Sequence, residues 1–311
     1  MESKNKVLMG IIVAVVIIFA AVGTYLVFSK ISEDEKVQRD SNSNSQEEQA
    51  ISIDKSDTVV FSLMNFLEDR DYPFYQAKKT TVSSLNIETK YTLAFKKLGT
   101  DITITCDRST LDEGSGLESC WSFHFEIKEE AVALAFANAF GQGVVPDKIE
   151  KEIEFPLSTD IKLKDLHVEK GLEEAIENET FSSVASATLK YDEEKKVYTG
   201  NFEIQGGGWS NNGIFSTVES ASKKKNRITI TEKVIFVDSN PKDVSEPTEY
   251  SIYSDYNHTT EIGKIKVSDY DKEGFDTNAL VEQYSDNAMT VIYTFEENSD
   301  GSYHFVDSRM E

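Results

Sequence analysis

The chain has 311 residues, and its 55 acidic and 32 basic side chains give a formal net charge of −23. This balance argues against nucleic-acid binding, because phosphate contacts depend on Lys and Arg, and it provides no overall attraction to an anionic lipid surface. Hydrophobic residues make up 39% of the chain, with 13 Tyr and 18 Phe, which excludes a wholly disordered protein and predicts a packed core.

Residues 7–28 form a stretch of 22 residues without a charge. As a helix it would be about 33 Å long, enough to cross a hydrocarbon core of about 30 Å, so we predict a transmembrane signal-anchor. Residues 1–6 then form a cytoplasmic head, and the long remainder is expected outside the cell membrane. A cleaved signal peptide, with a small-x-small site ending at Gly23, is the alternative, but the apolar stretch continues past that site to Phe28.

A flexible polar and acidic tether is predicted over residues 29–56. Residues 32–49 contain one aliphatic residue, Val37, and no aromatic residue, so this segment has too little apolar surface to fold by itself. The first 30 residues carry two more basic than acidic side chains, which leaves −25 on the remainder of the chain. The part predicted outside is therefore more acidic than the chain as a whole.

Three amphipathic helices are predicted between residues 57 and 150. Asp57 is placed to cap the first and Asn86 the second, while Glu129 and Glu130 open the third, which Gly141 ends. The apolar faces comprise Val60, Leu63, Met64 and Leu67 in the first helix, Ile87, Tyr91, Ala94, Phe95 and Leu98 in the second, and Val132, Ala135, Phe136, Ala139 and Phe140 in the third.

The pattern changes after residue 151, where apolar residues alternate with polar ones as in β-strands. The alternation is clearest over residues 289–295, and the turn sequence at 299–301 predicts a terminal hairpin. We therefore expect an α+β fold with helices followed by a mostly antiparallel, curved β-sheet. The folded part forms either one domain, 57–311, or two, 57–150 and 151–311.

The chain contains two cysteines, Cys106 and Cys120, at the two ends of a loop between β-like segments. Strands that enter and leave one loop bring their ends together, and an exported domain meets oxidising conditions, so we predict a disulfide. Two buried free thiols are the alternative. A redox pair is disfavoured because the Cys-x-x-Cys spacing is missing.

The most unusual local sequence is Gly206, Gly207, Gly208 and Trp209. A phosphate-binding loop would be followed by a helix, whereas the residues after this segment have the pattern of a strand. The sequence favours an inter-strand loop. An exposed Trp209 on such a loop makes the segment a candidate contact for a glycan or a protein.

No metal or cofactor site is expected. His124 lies four residues after Cys120, but no second pair of Cys or His residues stands nearby to complete a zinc site. The acidic stretches 238–249 and 269–273 lack the spacing of an EF-hand loop, so we expect them to be solvated.

No catalytic motif is found either. His167, His258 and His304 are isolated in sequence, and the chain lacks a Gly-x-Ser-x-Gly elbow. A catalytic group assembled from dispersed residues would leave no such signature, because triads are defined by geometry.

Three segments resemble a known group of proteins: LNIETKYTLAFKKLG, EEAVALAFANAFGQG and YTFEENSDGSYHFVDS. They are similar to segments of uncharacterised, membrane-anchored exported proteins of low-GC Gram-positive and Mollicute-like bacteria. The resemblance implies a location at the cell envelope. It implies no particular activity.

Together, the anchor, the tether and the β-rich outer part predict a binding or interaction module at the cell envelope, with a protein or a glycan as ligand. Two alternatives stay open. One is a structural or regulatory accessory of a membrane complex, in which residues 7–28 also contact a partner. The other is an envelope enzyme whose site is assembled from dispersed residues.

Overall fold

The structure is a computed structural model that describes residues 49–67, 72–98, 102–110, 120, 122–157, 167–168, 185–203, 213–238 and 247–311. The predicted cytoplasmic head, the anchor at 7–28, most of the tether and the loop at 206–209 lie outside these residues. No helix within the described ranges is long and apolar enough to cross a membrane. The chain from Ala50 to Glu311 forms one compact unit.

The described residues include three helices that match the sequence prediction and three short ones that it did not contain. The predicted helices are α1, α3 and α4. The full set is α1 (Thr58–Phe66), α2 (Tyr72–Gln76), α3 (Ile87–Phe95), α4 (Glu129–Phe140), α5 (Val267–Tyr270) and α6 (Thr277–Gln283).

The strands occur throughout the described chain rather than only after residue 151. They are β1 (Ile51–Ile53), β2 (Lys79–Thr81), β3 (Ile102–Cys106), β4 (Ser122–Lys128), β5 (Ile153–Leu157), β6 (His167–Val168), β7 (Ala185–Asp192), β8 (Val197–Glu203), β9 (Ile214–Lys224), β10 (Arg227–Asp238), β11 (Glu249–Tyr253), β12 (Glu261–Lys266), β13 (Met289–Glu297) and β14 (Tyr303–Met310).

These strands form two open sheets. The larger sheet has the order β1-β9-β10-β13-β14-β2, and β11 extends it from β10 with β12 at its outer side. The smaller sheet has the order β5-β7-β8-β4-β3-β6. Every pairing is antiparallel except that of β3 with β6, so the predicted α+β class with a mostly antiparallel arrangement is confirmed.

The expectation of a curved sheet is wrong, because neither sheet is curled. The chain divides its strands between two sheets, so no single sheet has to bend around the core. Strands from both sides of residue 150 share each sheet: β4 pairs with β8 in the smaller one, and β2 pairs with β14 in the larger one.

Helix α3 packs beside β5 of the smaller sheet, and helix α4 packs beside both sheets. Helix α3 begins at Asn86, whose side chain accepts a hydrogen bond of 2.8 Å from the Thr89 backbone N–H. Helix α4 ends at Gly141, which has a φ of 98° that favours glycine. Helix α4 packs against α3 and β14 and also contacts β4 and β8, so its buried face joins the two sheets into one core.

A second, smaller core lies where β11 and β12 extend the larger sheet. Helix α6 packs there against β9 and β10. The buried residues of this core are Phe215, Ile235, Val237, Ile252, Ile265, Leu280 and Val281. They give the β11–β12 extension and the two short helices α5 and α6 apolar support of their own.

Candidate functional site

A cleft with a volume of about 580 Å³ lies beside the smaller core, between β12 and helices α5 and α6. We call it the β12–α6 cleft. Its size falls within the range of ligand-binding pockets in proteins. It is lined by Glu249, Lys264, Ile265, Lys266, Asp269, Lys272, Gly274, Phe275, Asp276, Ala279, Leu280, Gln283 and Tyr284.

The apolar floor of the cleft belongs to the smaller core. Ile265 and Leu280 are buried, and Phe275 is packed against that core. The Tyr284 ring covers Gly263, where a Cβ atom would overlap the ring. The Tyr284 hydroxyl donates to the Lys264 carbonyl at 3.3 Å. The contacts of Tyr284 with β12 therefore hold one wall of the cleft in place.

Short-range signals position the wall formed by α6. The Asp276 carboxylate accepts a hydrogen bond of 3.0 Å from the Ala279 backbone N–H and so caps the helix. Phe275 lies just before this cap, and Leu280 is the fourth residue of the helix, which is the spacing of a hydrophobic staple. The turn before them includes Gly274, with a φ of 74°.

The rim of the cleft carries charges of both signs. Lys264, Lys266 and Lys272 are exposed, and none of them forms an ion pair with a residue in the described ranges. Glu249 lies opposite Lys266 in the β11–β12 register, and Asp269 contributes a second exposed carboxylate. Lys264 and Lys266 alternate with the buried Ile265 along the edge strand β12, so their side chains leave the opposite face of the strand and reach the cleft around its edge. Unpaired ammonium groups at the rim can bind carboxylates of a ligand without first breaking an internal ion pair.

No histidine lines the β12–α6 cleft. The His124 Nδ1 lies 3.0 Å from the Asn201 Oδ1, and the His304 Nδ1 lies 2.7 Å from the Asn298 Oδ1. The His258 ring stacks on the Tyr253 ring, with centroids 4.7 Å apart. These three rings therefore have structural neighbours of their own. Among the residues that the structure describes, no group of three His, Cys, Asp or Glu side chains is placed to hold a metal ion.

The predicted disulfide is confirmed. Cys106, the last residue of β3, is bonded to Cys120, which lies just before β4, with an S–S distance of 2.07 Å. The Asp107 carboxylate next to it accepts hydrogen bonds from the Ser109 hydroxyl and backbone N–H, which hold the pKa of Asp107 below its ordinary value. The disulfide closes the end of a hairpin in the smaller sheet, whereas the β12–α6 cleft belongs to the larger one.

The other predicted contact, Gly206, Gly207, Gly208 and Trp209, lies outside the described residues. It connects β8 of the smaller sheet to β9 of the larger one. Its assignment as a ligand contact stays a prediction.

Sequence reasoning missed the β12–α6 cleft. Part of its wall is the acidic stretch 269–273, which we expected to be a solvated loop and whose first two residues belong to α5. Two local signals were available there: the capping position of Asp276 and the apolar pair Phe275 and Leu280. The lysines gave no signal because they occur singly, and only the fold brings them to one rim.

Comparison of this chain with protein-family models, with curated proteins and with solved structures finds no match. The resemblance of three segments to membrane-anchored exported bacterial proteins therefore stays a prediction.

Proposed function

We propose that this chain is a single-pass, membrane-anchored extracellular protein that binds a segment of another envelope protein in its β12–α6 cleft. Residues 7–28 anchor the chain with the N-terminus in the cytoplasm, and the unit from Ala50 to Glu311 is presented outside. The tether, predicted over residues 29–56, is shortened to residues 29–49, because Ile51–Ile53 form β1 of the larger sheet. The uncharged stretch of 22 residues and the Cys106–Cys120 disulfide support this arrangement, because structural disulfides persist in oxidising compartments.

The observation that carries the binding role is the combination of an apolar floor with unpaired lysines at one cleft. A ligand in the cleft covers the half-buried rings of Phe275 and Tyr284 and so removes apolar surface from water, above a floor that Ile265 and Leu280 already keep dry. Lys264 and Lys266 supply orientation through charge-assisted hydrogen bonds. Such a division between an apolar floor and a few polar contacts is typical of ligand sites.

A protein segment fits this lining better than a glycan does. Peptides carry carboxylates, ammonium groups and apolar side chains together, which matches a rim with both signs of charge around an apolar floor. A glycan site would present mainly hydrogen-bonding groups and an open aromatic platform. In the cleft the Tyr284 ring is packed against Gly263, and the polar side chains of the lining are mainly charged rather than neutral.

The experiment that tests the binding role uses the full chain in lipid nanodiscs. One probe is a pool of hexapeptides that contain an acidic and an apolar side chain, and the other is the tetrasaccharide of N-acetylglucosamine. We expect the peptides to bind and to perturb the NMR signals of Tyr284 and Phe275. Binding of the sugar alone at these residues, or of neither probe, would overturn the proposed ligand.

Charge reversal on the rim distinguishes specific binding in the cleft from nonspecific electrostatic binding to the whole protein. Lys264→Glu with Lys266→Glu is expected to weaken peptide binding about tenfold or more, since two attractive contacts become repulsive. The matched control is Lys128→Glu with Lys190→Glu, because these lysines are also exposed on strands but belong to the smaller sheet. Equal losses in both variants would show that the effect comes from net charge rather than from the cleft.

A further inference from the structure

The chain enters the compact unit at one defined end of the larger sheet. Strand β1 is antiparallel to β9, with Ile51 opposite Lys223 and Ile53 opposite Ala221. The residues just before Ile51 therefore approach the turn between β9 and β10 rather than the opposite end of the sheet. Whatever precedes residue 49 in the chain connects at this turn.

That turn carries the densest run of basic residues in the chain, Lys223, Lys224, Lys225 and Arg227, with Asn226 between them. We call it the lysine turn. Lys225 occupies a left-handed backbone conformation, with a φ of 56°, which is unfavourable for a residue other than glycine or asparagine. A glycine or an asparagine would adopt this conformation at lower cost.

Two of the four cations are already paired. The Lys223 ammonium lies 2.7 Å from a Glu297 carboxylate oxygen, and the Arg227 guanidinium lies 2.7 Å from a Glu296 oxygen. Lys224 and Lys225 are exposed, and neither forms an ion pair within the part of the chain that the structure describes. The lysine turn therefore presents two free positive charges to its surroundings.

We propose that Lys224 and Lys225 bind the anionic headgroups of the bilayer that holds the anchor, and so fix which end of the outer unit faces the membrane. This inference rests on the proposed anchoring by residues 7–28. A flexible coil of 21 residues has a span of about 25 Å, so a tether of this kind over residues 29–49 keeps the entry point of the unit near the bilayer. Headgroup attraction decays over a screening length of about 8 Å at physiological salt, which the tether allows the turn to reach.

The negative net charge of the outer unit favours the orientation in which the lysine turn faces the bilayer. The chain beyond residue 30 carries −25, so most faces of the outer unit are repelled by an anionic surface. The lysine turn adds a local positive charge, and it lies at the end where the chain enters the unit, whereas the lysines of the β12–α6 cleft lie among Glu249, Asp269 and Asp276. Each lysine near such a surface changes the equilibrium between docked and free orientations about fivefold.

The test uses the full chain reconstituted in liposomes, with the photocrosslinking residue p-benzoylphenylalanine in place of Asn226. One set of liposomes contains phosphatidylcholine alone, and the other contains phosphatidylcholine with phosphatidylglycerol. Flotation shows whether the chain is anchored, and mass spectrometry measures the fraction crosslinked to lipid. We expect crosslinking that requires phosphatidylglycerol and is lost at high salt.

The variant Lys224→Gln with Lys225→Gln is expected to lower this crosslinking by about fivefold for each lysine. The matched control is Lys195→Gln with Lys196→Gln in the turn between β7 and β8. Lys196 has a φ of 55°, close to that of Lys225, so any cost of changing a left-handed lysine is the same in both variants. The control is expected to crosslink as the parent does.

Three results would overturn the inference while leaving the anchor intact, provided that the chain floats with the liposomes. They are equal crosslinking with and without phosphatidylglycerol, equal crosslinking in the two double variants, and crosslinks to the acidic residues of the chain's own tether instead of to lipid. A chain that does not float overturns both the anchor and the inference.

Discussion

Gly200 in β8 shows how closely the smaller sheet is packed. A Cβ atom at this position would overlap the Thr188 carbonyl oxygen and the Phe125 ring. We expect Gly200→Ala to lower the free energy of unfolding by about 1–3 kcal/mol or more, because backbone and a buried ring must both move. Urea denaturation measures this loss.

The control for Gly200 is Gly143→Ala. At Gly143 nothing lies within 4 Å of the added atom, but φ is 89°, so backbone strain of about 1–2 kcal/mol is expected without any overlap. A loss at Gly143 as large as the loss at Gly200 would contradict the overlap argument.

His304 makes stability depend on pH. Burial lowers the pKa of its imidazole below the ordinary value of 6.5, although the Glu296 carboxylate opposes this shift. The unfolded chain therefore takes up the proton first as the pH falls. The free energy of unfolding is fully retained above about pH 6.5, and it decreases as the pH falls from there to the lowered pKa.

The corresponding variant is His304→Gln, which keeps a polar side chain without the titrating group. We expect it to flatten the pH dependence of the unfolding free energy in that window, measured by urea denaturation across a pH series. A parent whose stability rises on acidification through this window would contradict the account.

At the scale of elements, the disulfide fixes the hairpin of β3 and β4. Cys106 and Cys120 are separated by 14 positions, and closing a loop of that size contributes about 3 kcal/mol in the chain-entropy model. We expect Cys106→Ala with Cys120→Ala to lose about this amount in urea denaturation. Mass spectrometry of the unreduced protein should find no alkylatable thiol, and finding two would contradict the disulfide.

Helix α3 depends on its first turn because its buried face carries Tyr91 and Phe95 into the core. We expect Asn86→Ala to cost about 1 kcal/mol, since the Thr89 backbone N–H loses its acceptor. Asn86→Ser keeps a capping oxygen and is expected to unfold close to the parent. An Asn86→Ala chain as stable as the parent would show that the cap contributes nothing.

The elements that could be predicted are those whose signals are local. Caps at Asp57 and Asn86 and the stop at Gly141 marked α1, α3 and α4, and the sequence spacing of Cys106 and Cys120 pointed to the disulfide. Helix α2 has five residues and α5 has four, too few to show a helical period. The order of the strands in the two sheets could not be predicted, because several pairings, such as that of β2 with β14, join distant segments.

Local signals marked only the α6 wall of the candidate cleft, and the cleft as a whole could not be predicted for the same reason. Its lining extends from Glu249 to Tyr284, and the residues that matter are single lysines and aromatic side chains with no motif spacing. Register brings Glu249 opposite Lys266, and the packing of α6 brings Tyr284 onto Gly263. Both contacts form only in the tertiary structure, between residues that are distant in sequence.

For the whole molecule, the net charge of −23 is the sum over segments of opposite net charge. The first 30 residues are slightly basic, the remainder is strongly acidic, and the structure adds a local basic turn at the end where the chain enters the compact unit. The proposed arrangement assigns each part a place: the basic head inside, the acidic unit outside, and the lysine turn toward the bilayer.

Labelling of intact cells with a membrane-impermeant amine reagent tests this arrangement most directly, with the modified lysines identified by mass spectrometry in the membrane fraction. Our account predicts that Lys196 and other exposed lysines of the outer unit are modified, while Lys4 and Lys6 react only after the cells are lysed. Modification of Lys4 and Lys6 in intact cells, protection of the outer lysines, or a mature chain without residues 7–28 would contradict it.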